Sequence, residues 1–300
     1  MNKALIVGSA GQDGRLLHSY LSGKGYSLLG VGRDEIDLVD RETVFDLVSR
    51  FKPDEIYYLA AHHRSAEESS GDDLELFQKS HEVNVQGLLH FLEAAKRRAP
   101  AARIFYAASS HVFGTPSVPV QNEDTPINPE CVYGITKAAG LFACRFYREA
   151  HGIFASVGIC YNHESSLRDA KFVSQKIIRS ALEHKAGKRR KLVLGSLSAE
   201  VDWGYAPDYV RAMHMILIHS HADDFVLATG KGHSVRDLVE RVYSRLGLDW
   251  KSFVEEDPRI LTKKKKALVG DPARLIRMTG WKPSVNFDGM IDLLLKEAKG

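Results

Sequence analysis

The stretch ALIVGSAGQDGRLLHSYL, residues 4–21, decides the fold of this chain. Its apolar run ends in three glycines at G-x-x-G-x-x-G spacing, Gly8, Gly11 and Gly14, and leucines then recur at helical spacing. A short apolar run bounded by glycine predicts a buried parallel strand. Glycines in such a strand–turn–helix unit allow a tight turn, backbone contact with a pyrophosphate and close helix packing. The stretch therefore predicts a dinucleotide-binding turn, the alternative being glycines that serve packing alone.

Composition limits the classes of protein to consider. The chain has 300 residues, 44% hydrophobic and 26% charged, with a net charge of +3. These values allow one large α/β domain or two lobes and do not indicate a nucleic-acid binder. The three cysteines have no metal-ligand or paired spacing, so we expect no metal site and a reducing compartment.

The sequence also bears on location. No apolar run reaches the ~20 residues that span a bilayer. The chain enters its first predicted strand at once, without room for a signal peptide. We therefore expect a cytoplasmic protein with no membrane partner.

Predicted strands and helices alternate along the first half of the chain. Apolar runs and helical periodicity predict further strands at 26–31, 55–61 and 103–108, and helices at 41–51, 74–98 and 133–151. This alternation is typical of an α/β fold, a Rossmann-type doubly wound parallel sheet. We predict a dinucleotide-binding domain over residues 1–160. Residues 161–300 are predicted to form mainly a smaller α/β substrate lobe, interleaved with the first, with short strands at 191–194 and 224–227.

The residues after the second predicted strand bear on the choice of cofactor. An acid at this point accepts from the 2′-hydroxyl of NAD, whereas an arginine pairs with the 2′-phosphate of NADP. Arg33 is followed by Asp34, so we favour NADP(H) without excluding NAD(H). The alternative is that both side chains are solvated turn residues. The predicted cofactor contacts lie in this region, in the glycine-rich turn and at the end of the third strand. They are Gly8, Gly11, Gln12, Asp13, Gly14, Arg33, Asp37, Leu38, Leu59, Ala60 and Ala61.

Three residues in the first half have the chemistry of alcohol oxidation. Tyr133 and Lys137 are four apart in a predicted helix and share a face. Tyrosine is a poor base at neutral pH, but a nearby ammonium favours its phenolate. Ser109 ends a predicted strand, where ligands sit in an open parallel sheet. Together these groups can take a proton from an alcohol while hydride leaves its carbon for a nicotinamide.

The glycine-rich turn, Ser109 and Tyr133-x-x-x-Lys137 together resemble the extended short-chain dehydrogenase/reductase superfamily over nearly the whole chain. Longer segments resemble the GDP-mannose 4,6-dehydratase family within it. They are GQDG at 11–14, YNHES at 161–165, DWGYA at 202–206, ATG at 228–230, SVR at 234–236 and GWKP at 280–283.

The resemblance implies an enzyme that acts at C4 of a nucleotide sugar, with a GDP-hexose favoured. It implies that Ser109 orients the C4 oxygen, that Tyr133 is the base, and that Lys137 lowers the pKa of Tyr133 and holds the nicotinamide ribose. His111 stands where the family has a glutamate that removes the C5 proton. The implied substrate contacts are Ser110, Asn162, Glu164, Ser165, Val173, Lys176 and Arg259.

His111 leaves more than one function open. The leading hypothesis is 4,6-dehydration of GDP-mannose, with His111 as the replacement base. The second is an NADPH-dependent GDP-4-keto-6-deoxyhexose reductase or epimerase, and the third is a non-catalytic dinucleotide-binding protein. His111 is either an acid/base beside Tyr133 or a residue packed against its loop. We expect His163 to be a fixed hydrogen-bonding residue rather than a second base.

Two departures from the family pattern concern the nucleotide site. Val201 stands where the family has an arginine, and the region of the lysine run Lys263–Lys266 replaces another family segment. The run either supplies positive charge or is a solvated surface segment. The resemblance also implies a homodimer or homotetramer that pairs through the helices at 74–98 and 133–151. Asn84 interrupts the apolar face of the first of these and is expected to be a structural hydrogen-bonding residue.

Overall fold

The computed structural model describes residues 1–62, 72–260 and 268–298. The strands are β1 Lys3–Val7, β2 Ser27–Val31, β3 Glu55–Tyr58, β4 Arg103–Ser109, β5 Ala155–Cys160, β6 Asn162–Glu164, β7 Leu192–Leu194, β8 Glu200–Tyr205, β9 Asp224–Leu227, β10 Gly232–Ser234 and β11 Val254–Glu256. The α-helices are α1 Gln12–Ser22, α2 Arg41–Phe51, α3 Asp73–His81, α4 Gly87–Arg98, α5 Val132–His151, α6 Val173–Lys185, α7 Ala206–Ile218, α8 Val235–Arg245, α9 Ala273–Thr279 and α10 Phe287–Glu297.

The large sheet has six parallel strands in the order β2-β1-β3-β4-β5-β9. Successive β1 residues face opposite sides of it, as strand geometry requires. Leu5 and Val7 pack in one apolar cluster with α2, α4 and α5, and Ala4 and Ile6 pack in another with α1 and α7. The predicted doubly wound parallel sheet is confirmed. Its chain order reverses between β1 and β3, the point where such sheets bind ligands beyond their carboxyl ends.

The second half of the chain forms two small sheets and contributes one strand to the large sheet. Strand β8 pairs antiparallel with β10 and parallel with β6, and β7 pairs with β11. A third apolar cluster lies among these strands and α6, α8 and α10. Strand β9 pairs with β5 in the large sheet. The two-domain division at residue 160 stays a prediction. In the part of the chain that the structure describes, no helix has the length and apolarity to cross a membrane.

The segment predicted as one helix over 74–98 is interrupted by a π-helical turn at Glu82–Gln86. Asn84 lies in this turn and is fully buried. Its Oδ1 accepts from the backbone N–H of His62 at 3.1 Å, and its Nδ2 donates to Oγ1 of Thr136 at 2.9 Å. The extra residue of a π turn aims this amide inward. The structural hydrogen-bonding role expected for Asn84 is confirmed, and it joins the end of the third strand to α5.

His214 is expected to make the fold less stable in mild acid. It is buried on α7, with Nδ1 3.3 Å from the Tyr57 hydroxyl. Burial, with a smaller contribution from Lys24, lowers the pKa of His214 from 6.5 to about 4. Between these values the unfolded chain binds more protons, so the free energy of unfolding falls as the pH falls from 6.5 towards 4.

Urea unfolding of the wild type and of His214→Gln across that pH window measures this contribution. The variant should lose less stability on acidification than the wild type. Burial raises the pKa of neighbouring Glu55, which contributes with the opposite sign and is present in both proteins. Equal losses in the two proteins would contradict the assignment to His214.

Candidate active site

The glycine-rich turn between β1 and α1 has the shape of a phosphate cradle. Gly8 has a φ of +92°, and a Cβ there would lie 2.7 Å from the backbone nitrogen of Ala60. A Cβ on Gly14 would collide with the Gly8 carbonyl, whereas one on Gly11 would lie 3.4 Å from it. Gly11 is the N-cap of α1 and has no side chain to cap the first amides of this helix. Such amides and the helix dipole attract phosphate.

A cleft of about 440 Å³ opens beside this turn, lined by Ser9, Arg15, His18 and Gly30. Arg15 supplies a cation there that the sequence analysis did not single out. Its one available signal was its place in the first turn of the helix after the glycines. A guanidinium in this cleft suits a phosphate group.

The residues after β2 are partly placed as predicted. Arg33 and Asp34 are both exposed. The carboxylate that meets the end of this strand is that of Glu35, which accepts from the N–H of Gly32 at 2.7 Å. Asp37 accepts from the Val39 N–H and so shapes the following turn. The other predicted cofactor residues of these loops, Leu38, Leu59, Ala60 and Ala61, are half-buried.

Ser109, Tyr133 and Lys137 meet where β4 ends and α5 begins. Ser109 is 8% exposed, and its hydroxyl is hydrogen-bonded to Tyr133. Lys137 is 1% exposed, and its Nζ donates to the Ala107 carbonyl at 2.7 Å and lies 5.8 Å from the centre of the Tyr133 ring. The structure therefore brings these three side chains together in one site.

That Lys137 lowers the pKa of Tyr133 is implied by the resemblance and stays a prediction. Burial raises the pKa of Tyr133 above its ordinary value, although the charge of Arg168 and the Ser109 hydrogen bond act in the opposite direction. Burial also lowers the pKa of Lys137 to about 8. Desolvation disfavours the charged form of each group, and here it exceeds the favourable interactions.

His111 lies beside Tyr133, at the opening of the short 3₁₀ turn Ser110–Phe113. The two rings are edge to face, with centres 5.7 Å apart and planes at 81°. The backbone N–H of His111 donates to Oγ of Ser109 at 3.3 Å, so the end of β4 positions both residues. Ser110, predicted to contact the substrate, is buried at the start of the same turn. This position of His111 fits the acid/base hypothesis.

The substrate segment around β6 is bonded to the glycine-rich turn. Gln12 donates to the His163 carbonyl at 3.1 Å and accepts from Oγ of Ser165 at 2.9 Å. Nε2 of His163 lies 2.9 Å from Oδ2 of Asp13, and the His163 ring stacks on that of Tyr209. The side chains of Gln12 and Asp13, predicted to contact the cofactor, therefore hold the two halves of the chain together. The fixed role expected for His163 is confirmed.

Asp13 and His163 form an ion pair. Burial alone would neutralise both groups, but their mutual attraction and hydrogen bond exceed it, so the pKa of Asp13 is lowered and that of His163 is raised. The contribution of His163 to stability is complete below 6.5 and is lost as the pH rises through its raised pKa. That of Asp13 is complete above 3.8 and is lost as the pH falls through its lowered pKa.

We expect Asp13→Asn and His163→Gln each to lower the free energy of unfolding by about 1–3 kcal/mol near pH 6, because each replaces a hydrogen bond between two charged groups with a weaker one. The double variant should cost less than the sum of the two, since the residues share one interaction. Urea unfolding of the four proteins near pH 6 and again near pH 9 checks this. Additive losses at pH 6 would show that the two groups do not interact.

The remaining predicted substrate residues lie in three places. Asn162 and, on α6, Val173 and Lys176 are half-buried. Glu164 is buried and accepts from Oγ of Ser174 at 2.6 Å, so its role in the described residues is structural. Arg259 is 90% exposed and is ion-paired with Asp257, so the structure does not bring it into the site. The lysine run Lys263–Lys266 lies outside the described residues.

Arg168 is a residue of the site that the sequence analysis missed. Its Nε is buried without a hydrogen bond to any residue that the structure describes, 3.7 Å from a Glu164 oxygen, and its guanidinium stacks on Phe172 at 3.8 Å. Its charge acts on Tyr133, Asp13 and His163. The signal available in the sequence was an arginine three residues after the Asn-His-Glu-Ser segment. A guanidinium here suits an anionic group of a ligand.

Comparison with known proteins identifies the family. The sequence profile described as GDP-mannose 4,6 dehydratase matches residues 34–294. GDP-mannose 4,6 dehydratase 2 of Arabidopsis thaliana is 35% identical to this chain, over 98% of this chain and 86% of that protein. GDP-mannose 4,6 dehydratase of Homo sapiens is 32% identical, over 97% and 89% respectively.

Two solved structures share the fold. RMD from Pseudomonas aeruginosa complexed with NADPH superposes with a TM-score of 0.86 at 23% identity, covering 99% of both chains. The dTDP-glucose 4,6-dehydratase of Bacillus anthracis in complex with NAD has a TM-score of 0.85 at 17% identity, covering 100% of this chain and 97% of that one. With the fold, the site geometry and the profile match over residues 34–294 in agreement, this chain belongs to the GDP-mannose 4,6-dehydratase family.

Proposed function

We propose that this protein is an NADP(H)-dependent GDP-mannose 4,6-dehydratase, with NAD(H) not excluded as its cofactor. One observation carries the proposal: Ser109, Tyr133 and Lys137 meet at the carboxyl end of the large sheet, with the His111 ring against that of Tyr133. The family resemblance indicates the reaction, which removes a proton from the C4 hydroxyl and another from C5. We assign Tyr133 as the acceptor of the first proton and His111 as the acceptor of the second.

The residues of the glycine-rich turn fit a dinucleotide. Gly8 and Gly14 lie so close to neighbouring backbone that neither position has room for a Cβ, which keeps the turn tight. The start of α1, whose N-cap is a glycine, suits a pyrophosphate. We assign Arg15, which lines the cleft, and the exposed Arg33 to a 2′-phosphate. A dinucleotide held there would supply the hydride acceptor for C4 as NADP⁺ and the hydride donor for C6 as NADPH.

Tyr133 and Ser109 act on the C4 hydroxyl of the sugar. Ser109 hydrogen-bonds the oxygen, and Tyr133, in the phenolate form that the Lys137 ammonium favours, takes its proton as hydride leaves C4. Oxidation to the ketone makes the neighbouring C5 proton acidic. Lys137 holds its ammonium next to the tyrosine ring, anchored by the Ala107 carbonyl.

His111 removes the C5 proton and transfers it to the departing C6 hydroxyl, so that water leaves and a C5–C6 double bond forms. When hydride reaches C6, C5 takes up the proton that Tyr133 removed from O4, and Tyr133 returns to its phenolate form. The product is the 4-keto-6-deoxy sugar nucleotide, with one water lost and no net consumption of cofactor. Asn162, Val173, Lys176 and Ser110 are the residues we assign to binding the nucleotide sugar.

A specific observation favours a second candidate function. His111 replaces the carboxylate expected of the C5 base, and an imidazole is equally suited to protonating a carbon in a 4-keto-6-deoxyhexose reductase or epimerase. The two reactions differ in their use of cofactor. A reductase consumes one NADPH for each turnover, whereas the dehydratase recycles its cofactor.

Mass spectrometry of GDP-mannose incubated with the purified protein and a trace of NADP⁺ tests the proposal. We expect complete loss of one water without accumulation of NADPH. The control is the same mixture without protein. Unchanged GDP-mannose, together with oxidation of NADPH by a GDP-4-keto-6-deoxy sugar, would replace the proposal with the second candidate.

The protein is further proposed to act in the cytoplasm as a homodimer or homotetramer. The three cysteines are unpaired, as suits a reducing compartment. Helices α3 and α5 pack together and expose large apolar side chains, which are Leu74, Phe77, Ile135, Phe142 and Phe146. Exposed apolar patches of this kind mark protein interfaces, and a second copy of this chain is the proposed occupant.

Replacing Phe142 and Phe146 with aspartate is expected to convert the assembly to monomers, because the two side chains are 51% and 58% exposed and buried charges would oppose association. Light scattering after size-exclusion chromatography measures the mass. The double replacement of Val118 and Val120 with aspartate, on an exposed loop, is the matched control and should leave the mass unchanged. A monomeric wild type would contradict the proposed interface.

A further inference from the structure

Cys131 links the start of α5 to His111. It caps this helix, and its Sγ accepts a hydrogen bond from the backbone N–H of Gly134 at 3.4 Å. The same sulfur lies 3.6 Å from Nδ1 of His111. Gly134 makes the approach possible, because a Cβ there would lie 2.5 Å from the His111 carbonyl oxygen. The turn that carries His111 and the helix that carries Tyr133 are therefore held together at this sulfur.

The chemistry of this contact determines which His111 nitrogen can accept a proton. A neutral imidazole has one N–H and one lone pair, and the hydrogen bond at one nitrogen selects the form of the other. The Cys131 sulfur already accepts a hydrogen bond from the Gly134 N–H. The positive end of the α5 dipole also favours negative charge on this sulfur. Both features favour Nδ1–H donating to Sγ, which leaves the lone pair on Nε2.

We propose that Cys131 is a positioning residue that holds the His111 ring with its proton on Nδ1, so that Nε2 is the nitrogen that receives the sugar proton. That this proton comes from the sugar rests on the proposed function, whereas the tautomer of His111 does not. A different hydrogen-bond direction, with the thiol donating to Nδ1, places the proton on Nε2 and gives the opposite tautomer. The two arrangements are separable by spectroscopy.

The ring nitrogens of His111 report the tautomer directly. We would record long-range proton–nitrogen correlation spectra of the full-length protein with ¹⁵N-labelled histidine, and assign His111 by the signals lost in His111→Gln. The wild type should show a protonated Nδ1 and an unprotonated Nε2. Cys131→Ala should shift these signals towards a tautomer mixture, and Cys131→Ser should restore the wild-type pattern. An Nε2-protonated wild type, or an unchanged pattern in Cys131→Ala, would overturn the proposal.

Kinetics of the two proton removals supply the second readout. Partners that orient functional histidines in metal sites are worth about 10–100-fold, and we expect Cys131→Ala to slow deuterium entry at C5 in D₂O by a similar factor. Hydride transfer from C4, followed as cofactor reduction in a single turnover, should change by less than about 3-fold. Cys131→Ser should recover most of the C5 rate. Cys144→Ala removes a buried thiol from the same helix and is the matched control.

The outcomes separate this inference from the function on which it rests. Equal slowing of the C4 and C5 steps in Cys131→Ala, without recovery in Cys131→Ser, would mean that Cys131 is a structural cap alone and would overturn the inference. A wild type that leaves GDP-mannose unchanged would instead reject the proposed function. In that case the nitrogen spectra still decide the tautomer of His111.

Discussion

Replacing Tyr133 with phenylalanine is expected to lower the turnover of GDP-mannose by a factor of about 10²–10⁴, the range for loss of a positioned acid/base group. The ring stays in place, so its edge-to-face contact with His111 and its proximity to the Lys137 ammonium are preserved. Only the hydroxyl that shares a hydrogen bond with Ser109 is lost. Product formation by mass spectrometry and NADPH binding by fluorescence measure the two properties separately.

The effect should fall on catalysis and leave cofactor affinity nearly unchanged. The proposed cradle for the pyrophosphate is the backbone of the glycine-rich turn and the start of α1, and the Tyr133 hydroxyl is not part of it. Phe113 is a buried residue of the Ser110–Phe113 turn beside Tyr133. The conservative change Phe113→Leu is the control for general disturbance of the site and should retain turnover. Full activity in Tyr133→Phe would reject the proton-transfer role and, with it, the proposed mechanism.

Replacing His111 with alanine is expected to stop dehydration while C4 oxidation continues. Tyr133, Ser109 and Lys137 remain, so hydride can still leave C4, but no group takes the C5 proton. In a single turnover the variant should accumulate reduced cofactor and a 4-keto sugar that has kept its C6 hydroxyl. The loss of overall turnover should again be about 10²–10⁴-fold.

The His111→Glu variant tests the role by restoring the family's residue. We expect it to recover part of the turnover and to move the acid limb of the pH–rate profile to lower pH, because carboxyl groups lose their protons at lower pH than imidazoles. His111→Gln keeps a similar size without a titrating group and should stay inactive. If His111→Gln turned over GDP-mannose as well as the wild type, His111 would be a packing residue of its loop.

Much of the fold was predictable because its signals are local. Helix α2 begins and ends at the predicted residues Arg41 and Phe51, with Asp40 as its N-cap. The alternation of buried strands with amphipathic helices leaves few arrangements other than a doubly wound sheet. Ser109, Tyr133 and Lys137 could be singled out because the end of a strand, a four-residue spacing within one helix and the glycine-rich turn together resemble a known family.

The predictions that failed or missed a residue concern contacts distant in sequence. The π turn at Glu82–Gln86 depends on Asn84 reaching Thr136 on another helix, which no periodicity reveals. The side chains of Gln12 and Asp13 hold residues about 150 positions later in the chain, as the separation of Asp13 from His163 shows. Arg168 escaped notice because an isolated arginine in a polar segment is ordinarily solvated.

The sequence by itself determined the fold class and the glycine-rich turn, since each depends on backbone preferences and spacing over a few residues, and its resemblance to a family indicated the candidate reacting groups. Only the tertiary structure decided the protonation behaviour and orientation of those groups. Burial raises the pKa of Tyr133 and lowers that of Lys137 to about 8, and Cys131 lies against Nδ1 of His111. Desolvation and hydrogen-bond direction depend on which residues surround a group in three dimensions. Local sequence patterns do not predict those surroundings.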